Sequence, residues 1–191
     1  MIKKALVTAM IASGLTLGSV AAADEVTDLL KEAIEAYEQG DFTLVKENLN
    51  YTTQLLNEKS ADAIASALPE PLAGWSAEDA DTTASAAAGL FGGGIEASRV
   101  YTKKGSSVKI DITGESPIMS QMMMMMSNPV LAGSMGKMVR IGKQRGIQSK
   151  DGQKLTIIFN NRLLISIEGE SSIEDKIAYA EAIDYDALQD L

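Results

Sequence analysis

The run Met122-Met123-Met124-Met125-Met126 constrains this chain more than any other stretch, and it sits in a segment, Ser116 to Met138, that holds eight of the ten methionines. The spacing predicts a helix. Ser116 can cap it and Pro117 suits the first helical position, which puts Met119, Met122, Met123 and Met126 at i, i+3, i+4 and i+7 on one stripe, extended by Ile118 and Val130. That stripe is expected to pack on a sheet, methionine being an adaptable filler of irregular gaps. Met124 and Met125 point away from it. The middle of such a helix is apolar nearly all round, so it must lie under a second element or form an exposed patch. Asn128-Pro129 is expected to break or kink it.

Three roles are open for Met124 and Met125. The N-terminal part of the chain could cover them, which makes them purely structural. They could instead form a contact for an apolar ligand or for the hydrophobic segment of another protein, because unbranched thioethers repack around varied shapes. The third role is a soft-metal site for Cu(I) or Ag(I), with Met122, Met125 and Met126 as the thioethers able to converge.

The address of the chain is read from its first residues. Lys3 and Lys4, an apolar run from Ala5 to about Val20, and Ala21-Ala22-Ala23 before Asp24 have the order of a secretory signal peptide over 1–23. A periplasmic or secreted protein is therefore expected, with no stable membrane insertion once the signal is cleaved. Losing Lys3 and Lys4 leaves 15 basic against 26 acidic side chains. An acidic surface repels nucleic acid, so none is expected as a partner.

There is no cysteine and no histidine. Packing alone must hold the fold, and catalysis by serine or cysteine with histidine is excluded, as is zinc held by His or Cys. Carboxylates could still work in pairs, but Asp111 with Glu115 and Glu168 with Glu170 have no distinguishing spacing and are expected as surface charge. No cofactor is expected. Arg99, Arg140, Arg145 and Arg162 would form a local basic patch if they shared one solvent face.

Along the chain, 24–67 predicts a helical hairpin. Val26, Leu29, Leu30, Ala33, Ile34 and Tyr37 recur at helical spacing, Gly40 suits the end of the helix, and Asp41 caps a second one with Phe42, Val45, Leu49, Thr52 and Leu56 along a seam. A short third helix is expected from Ser60 to about Leu68, stopped by Pro69 and Pro71. Ala33, Ala36, Tyr37, Gly40, Asp41 and Phe42 resemble the inter-helix turn of a tetratricopeptide repeat. A single such unit implies a lone hairpin packed on the rest of the chain, since a solenoid needs several stacked units.

Residues 68–94 are expected as a linker, pinned by Trp75, and a Gly-rich loop with Leu90 and Phe91 at its tip. From 95 the period changes to two. Strands are expected at 96–102, 107–113, 137–149, 155–159 and 163–167, with turns at Lys104-Gly105, Asp151-Gly152 and Asn160-Asn161. Ser171 with Glu174 predicts a capped last helix with Ile173, Ile177, Ala180 and Ile183 facing inward. The fold expected is α+β: a helical hairpin, then over 95–191 an antiparallel sheet of about five strands carrying the Met-rich helix and a C-terminal helix. The function expected is that of an exported non-enzymatic binding or accessory protein. Its contacts with a hydrophobic small molecule or protein segment would be Met124, Met125, Leu90 and Phe91.

Overall fold

The computed structural model describes residues 24–84, 94–114, 133 and 136–189. Asp24 starts α1 (Glu25–Glu38) by accepting a 2.8 Å hydrogen bond from the amide of Val26, and Asp41 starts α2 (Phe42–Ser66) by accepting one from the amide of Leu44 at 3.1 Å. Between them Gly40 takes φ +80°, a conformation that side chains disfavour. The helices lie antiparallel, with Lys59 bound to Asp24 at 3.1 Å and Tyr51 donating to Glu25 at 3.1 Å. No separate helix starts at Ser60. Nothing in Lys59-Ser60-Ala61-Asp62 interrupts helical hydrogen bonding, so α2 runs on for 25 residues, about 37 Å. Its far end, with Ala61 and Ile64, belongs to the hydrophobic core.

The protein is α+β with one large antiparallel sheet. Its strands are β1 (Ser76–Ala77), β2 (Asp81–Ala84), β3 (Ile95–Lys103), β4 (Ser106–Gly114), β5 (Gly136–Ile141), β6 (Gln144–Ser149), β7 (Lys154–Phe159) and β8 (Leu163–Glu168). The order is β1-β3-β4-β8-β7-β6-β5, with β2 also on β3. The sheet thus has eight strands, where about five were expected. β1 and β2 join through backbone pairing to β3 and lack the apolar alternation that marks a strand. The single strand expected over 137–149 is a hairpin, because Gly142 at φ +55° turns the chain and pairs Ile141 with Gln144. The turn at Lys104-Gly105 takes positive φ at both residues, as a two-residue hairpin turn requires, and Asn160 and Asn161 take it in the three-residue loop between Phe159 and Leu163.

One sheet face is apolar. Ile110 of β4 pairs with Ile167 of β8, which pairs with Leu155 of β7; Ile112, Ile165 and Ile157 make the next row, and all six are buried. Helix α3 (Ile173–Ala182) closes this face with Tyr179, whose ring lies 4.3 Å from that of Tyr101 and 5.2 Å from Trp75. Trp75 does pin the segment after α2. The hydroxyl of Tyr101 donates to Pro69 at 2.7 Å and the amide of Leu72 donates to Tyr179 at 3.3 Å. The cap of α3 is Ser172, which pairs reciprocally with Asp175, one position later than the expected Ser171 and Glu174. Ser171 is displaced from capping by burial: its carbonyl accepts from Lys176 at 3.1 Å.

Candidate contact surface

An antiparallel neighbour covers only part of a helix, and α1 has more apolar residues than α2 can cover. Ala33 and Ala36 are the buried positions of α1, and Asn48 and Thr52 are the buried positions along the outer part of α2. Small residues thus meet polar ones in the seam. The large apolar residues lie outside: Leu30, Ile34 and Tyr37 on α1, and Phe42, Leu49 and Leu56 at i, i+7 and i+14 on α2, are all exposed. Helical periodicity puts each trio on one stripe, and the Tyr37 and Phe42 rings, edge to face at 5.9 Å, show that the two stripes adjoin. Of the expected α2 seam Thr52 is buried and Val45 half-buried, whereas Phe42, Leu49 and Leu56 are exposed, roughly a quarter turn round the helix from Asn48 and Thr52.

The energetics of this pair are inverted. The Asn48 amide nitrogen and the Thr52 hydroxyl are buried without a hydrogen-bond partner among the described residues, which costs about 1–3 kcal/mol for each group. Ile34, Tyr37 and Phe42 meanwhile remain 61%, 65% and 59% exposed. Among the described elements α1 packs substantially on α2 alone, while α2 also packs on β2 and β3, so the apolar stripe of α1 has no substantial cover among them. Leu44 and Tyr51 are exposed on the other side of α2.

Met122, Met124, Met125, Met126, Leu90 and Phe91 lie outside the described residues, as does the expected Met-rich helix over Met119 to Val130. Of the methionine-rich segment, Met138 is described, 61% exposed on β5. The four arginines separate by role. Arg99 is structural, donating to the carbonyls of Glu78 (2.8 Å) and Pro69 (3.2 Å) and meeting Glu70 at 3.4 Å, with its guanidinium 5.8 Å from the Tyr101 ring. Arg162 occupies the β7–β8 turn, whereas Arg140 and Arg145 are brought opposite each other on β5 and β6. Asp111 pairs with Lys109 and Glu168 with Lys154 at 3.6 Å, so these carboxylates have cations beside them; Glu115 lies outside the described residues.

Among the described residues no group of three or more His, Cys, Asp or Glu side chains could hold a metal ion, and no helix is long and apolar enough to cross a membrane. One part of this was signalled in the sequence: the apolar residues of α1 from Val26 to Tyr37 span an arc wider than one helical neighbour can cover, although not which of them would stay outside. No family model, no curated protein and no solved structure matches this chain.

Proposed function

We propose that this is an exported, non-enzymatic binding or accessory protein that holds a hydrophobic ligand, or the hydrophobic segment of another protein, on an apolar surface. The open face of α1 and α2 is the observation that carries this reading. Leu30, Ile34, Tyr37, Phe42, Leu49 and Leu56 expose together on the order of 600 Å² of side chain, at the upper end of the apolar patches that monomers carry. Two aromatic rings at the turn end and four aliphatic chains beyond suit an elongated apolar guest, and the inverted seam favours one. A guest that covers this face stabilises a helix pair whose own contacts contribute little. Met124, Met125, Leu90 and Phe91 are proposed as further contacts of the same kind.

The test is titration with an environment-sensitive dye and with an amphipathic peptide. Ile34→Glu/Leu49→Glu is expected to weaken binding at least about tenfold, two charges being placed in an apolar contact. Leu44→Glu, on the other side of α2, should leave it nearly unchanged. Met124→Glu/Met125→Glu measures the share of the methionines. Trp75 fluorescence reports whether each variant keeps its core. Binding that is unmoved by both double variants would sink the proposal.

A further inference from the structure

We infer that the β5–β6 hairpin carries an anion site whose ligand bears a phosphate group. Residues 136–150 include Lys137, Arg140, Lys143, Arg145 and Lys150 and no acid, in a chain of net charge −9. The fold concentrates this charge further. Ile141 and Gln144 close the two-residue turn, and the next pair is Arg140 directly opposite Arg145. A pair in that position is the close, non-hydrogen-bonded kind, with Cα atoms about 4.5 Å apart, so both side chains leave the same face side by side. Like charges placed so are destabilising.

Nothing described neutralises them. Arg140 donates from Nε to the Gly142 carbonyl at 3.0 Å, a neutral partner, and Arg145 and Lys143 have no hydrogen-bond or ion-pair partner among the described residues. Arg140, Lys143 and Arg145 line one open groove of about 390 Å³ with Met138, Val139 and Gln144. The carboxylate of Glu181 accepts from the amide of Gly142 at 3.1 Å, and with Asp184 and Asp186 it lines the adjoining hollow that Lys143 and Gln144 share. Neither arginine lines that hollow. The acidic balance of the whole chain therefore does not describe this edge.

The charge selects the ligand. One carboxylate offsets one guanidinium, whereas a phosphate carries nearly two negative charges on oxygens that several N–H forks can share. Met138, exposed at the groove, offers an apolar contact beside the charged end, which suits a phosphate borne on an organic group. Cations on an edge strand also deter association between sheets. Arg145, however, stands on β6, between β5 and β7, and guards no edge.

The experiment titrates the purified full chain with inorganic phosphate, with a short-chain phosphatidic acid below its micelle concentration, and with phosphatidylcholine vesicles containing or lacking long-chain phosphatidic acid. Binding is expected in at least one arm other than phosphatidylcholine alone, weakened at least about tenfold in Arg140→Gln/Arg145→Gln and by less than about twofold in the control Lys31→Gln/Lys104→Gln. Binding of the soluble phosphates assigns a free phosphate ligand. Binding confined to the vesicles that contain phosphatidic acid assigns a lipid headgroup. Absence of binding in every arm, or equal loss in the control, overturns the site. Without ligand at low salt the arginine variant should melt no lower than the parent; a lower Tm would mean that the arginines serve the fold, and would overturn it as well.

Discussion

Lys176 is fully buried on α3, with its ammonium donating to the carbonyl of Ser171. Burial lowers its pKa from the usual lysine value, and the charge of Asp151 only partly opposes this. The folded pKa therefore lies below the unfolded one. Between the two values the unfolded chain binds the extra proton, so stability rises with pH across that interval; at neutral pH the cost of the buried charge is fully present. Lys176→Met is expected to stabilise the protein by about 1 kcal/mol at pH 7, and denaturant titrations from pH 7 to 10 should lose the rise that the parent shows. Tyr101 and Tyr185 are shifted the other way, their hydroxyls held neutral by burial, Tyr185 up to about 12. Neither Lys176 nor Tyr179 stands out in the sequence as core. Both types are usually surface residues, and Tyr179 is buried because Tyr101 and Trp75, distant in the chain, meet it.

At the scale of the element, α2 is two structures in one helix. Its far end, with Ala61 and Ile64, belongs to the hydrophobic core, and along its first part the buried residues are the polar Asn48 and Thr52. Asn48→Leu replaces an unpartnered buried amide with an apolar group of similar size, and should stabilise the helix pair by about 1 kcal/mol, read from the midpoint of its unfolding. The helical period of α1 and α2 was legible in the sequence because it depends on local spacing. Which stripe of α2 would face α1 was not. Phe42, Leu49 and Leu56 form as good a stripe as Val45 and Thr52, and only the approach of the second helix selects between them. The strands divide similarly. The alternation of Val108, Ile110 and Ile112 announces β4, while β1 and β2 have no pattern of their own and exist through backbone hydrogen bonds to β3.

Across the whole molecule stability should be uneven. The rows of β4, β8 and β7 are closed by α3, Trp75 and the end of α2 and form the cooperative core, whereas α1, among the described elements, meets it substantially through α2 alone. Hydrogen exchange is expected to show amides of α1 opening at roughly 1–3 kcal/mol and those of β4 and β8 only near the global unfolding free energy. Equal protection throughout would mean that the helix pair is covered. Charge is uneven in the same way: the balance of −9 says nothing of the edge at β5 and β6, where five cations fall between Lys137 and Lys150 without an acid. From the sequence alone came the α+β class, the change from helical to alternating period by residue 95, the helix cap at Asp41 and most of the turns, because each rests on a few neighbouring residues. The eight-stranded order, the pairing of Arg140 with Arg145 and the outward apolar face of α1 and α2 were decided only in three dimensions. Each depends on which distant backbone or helix arrives alongside, and local spacing carries no record of that.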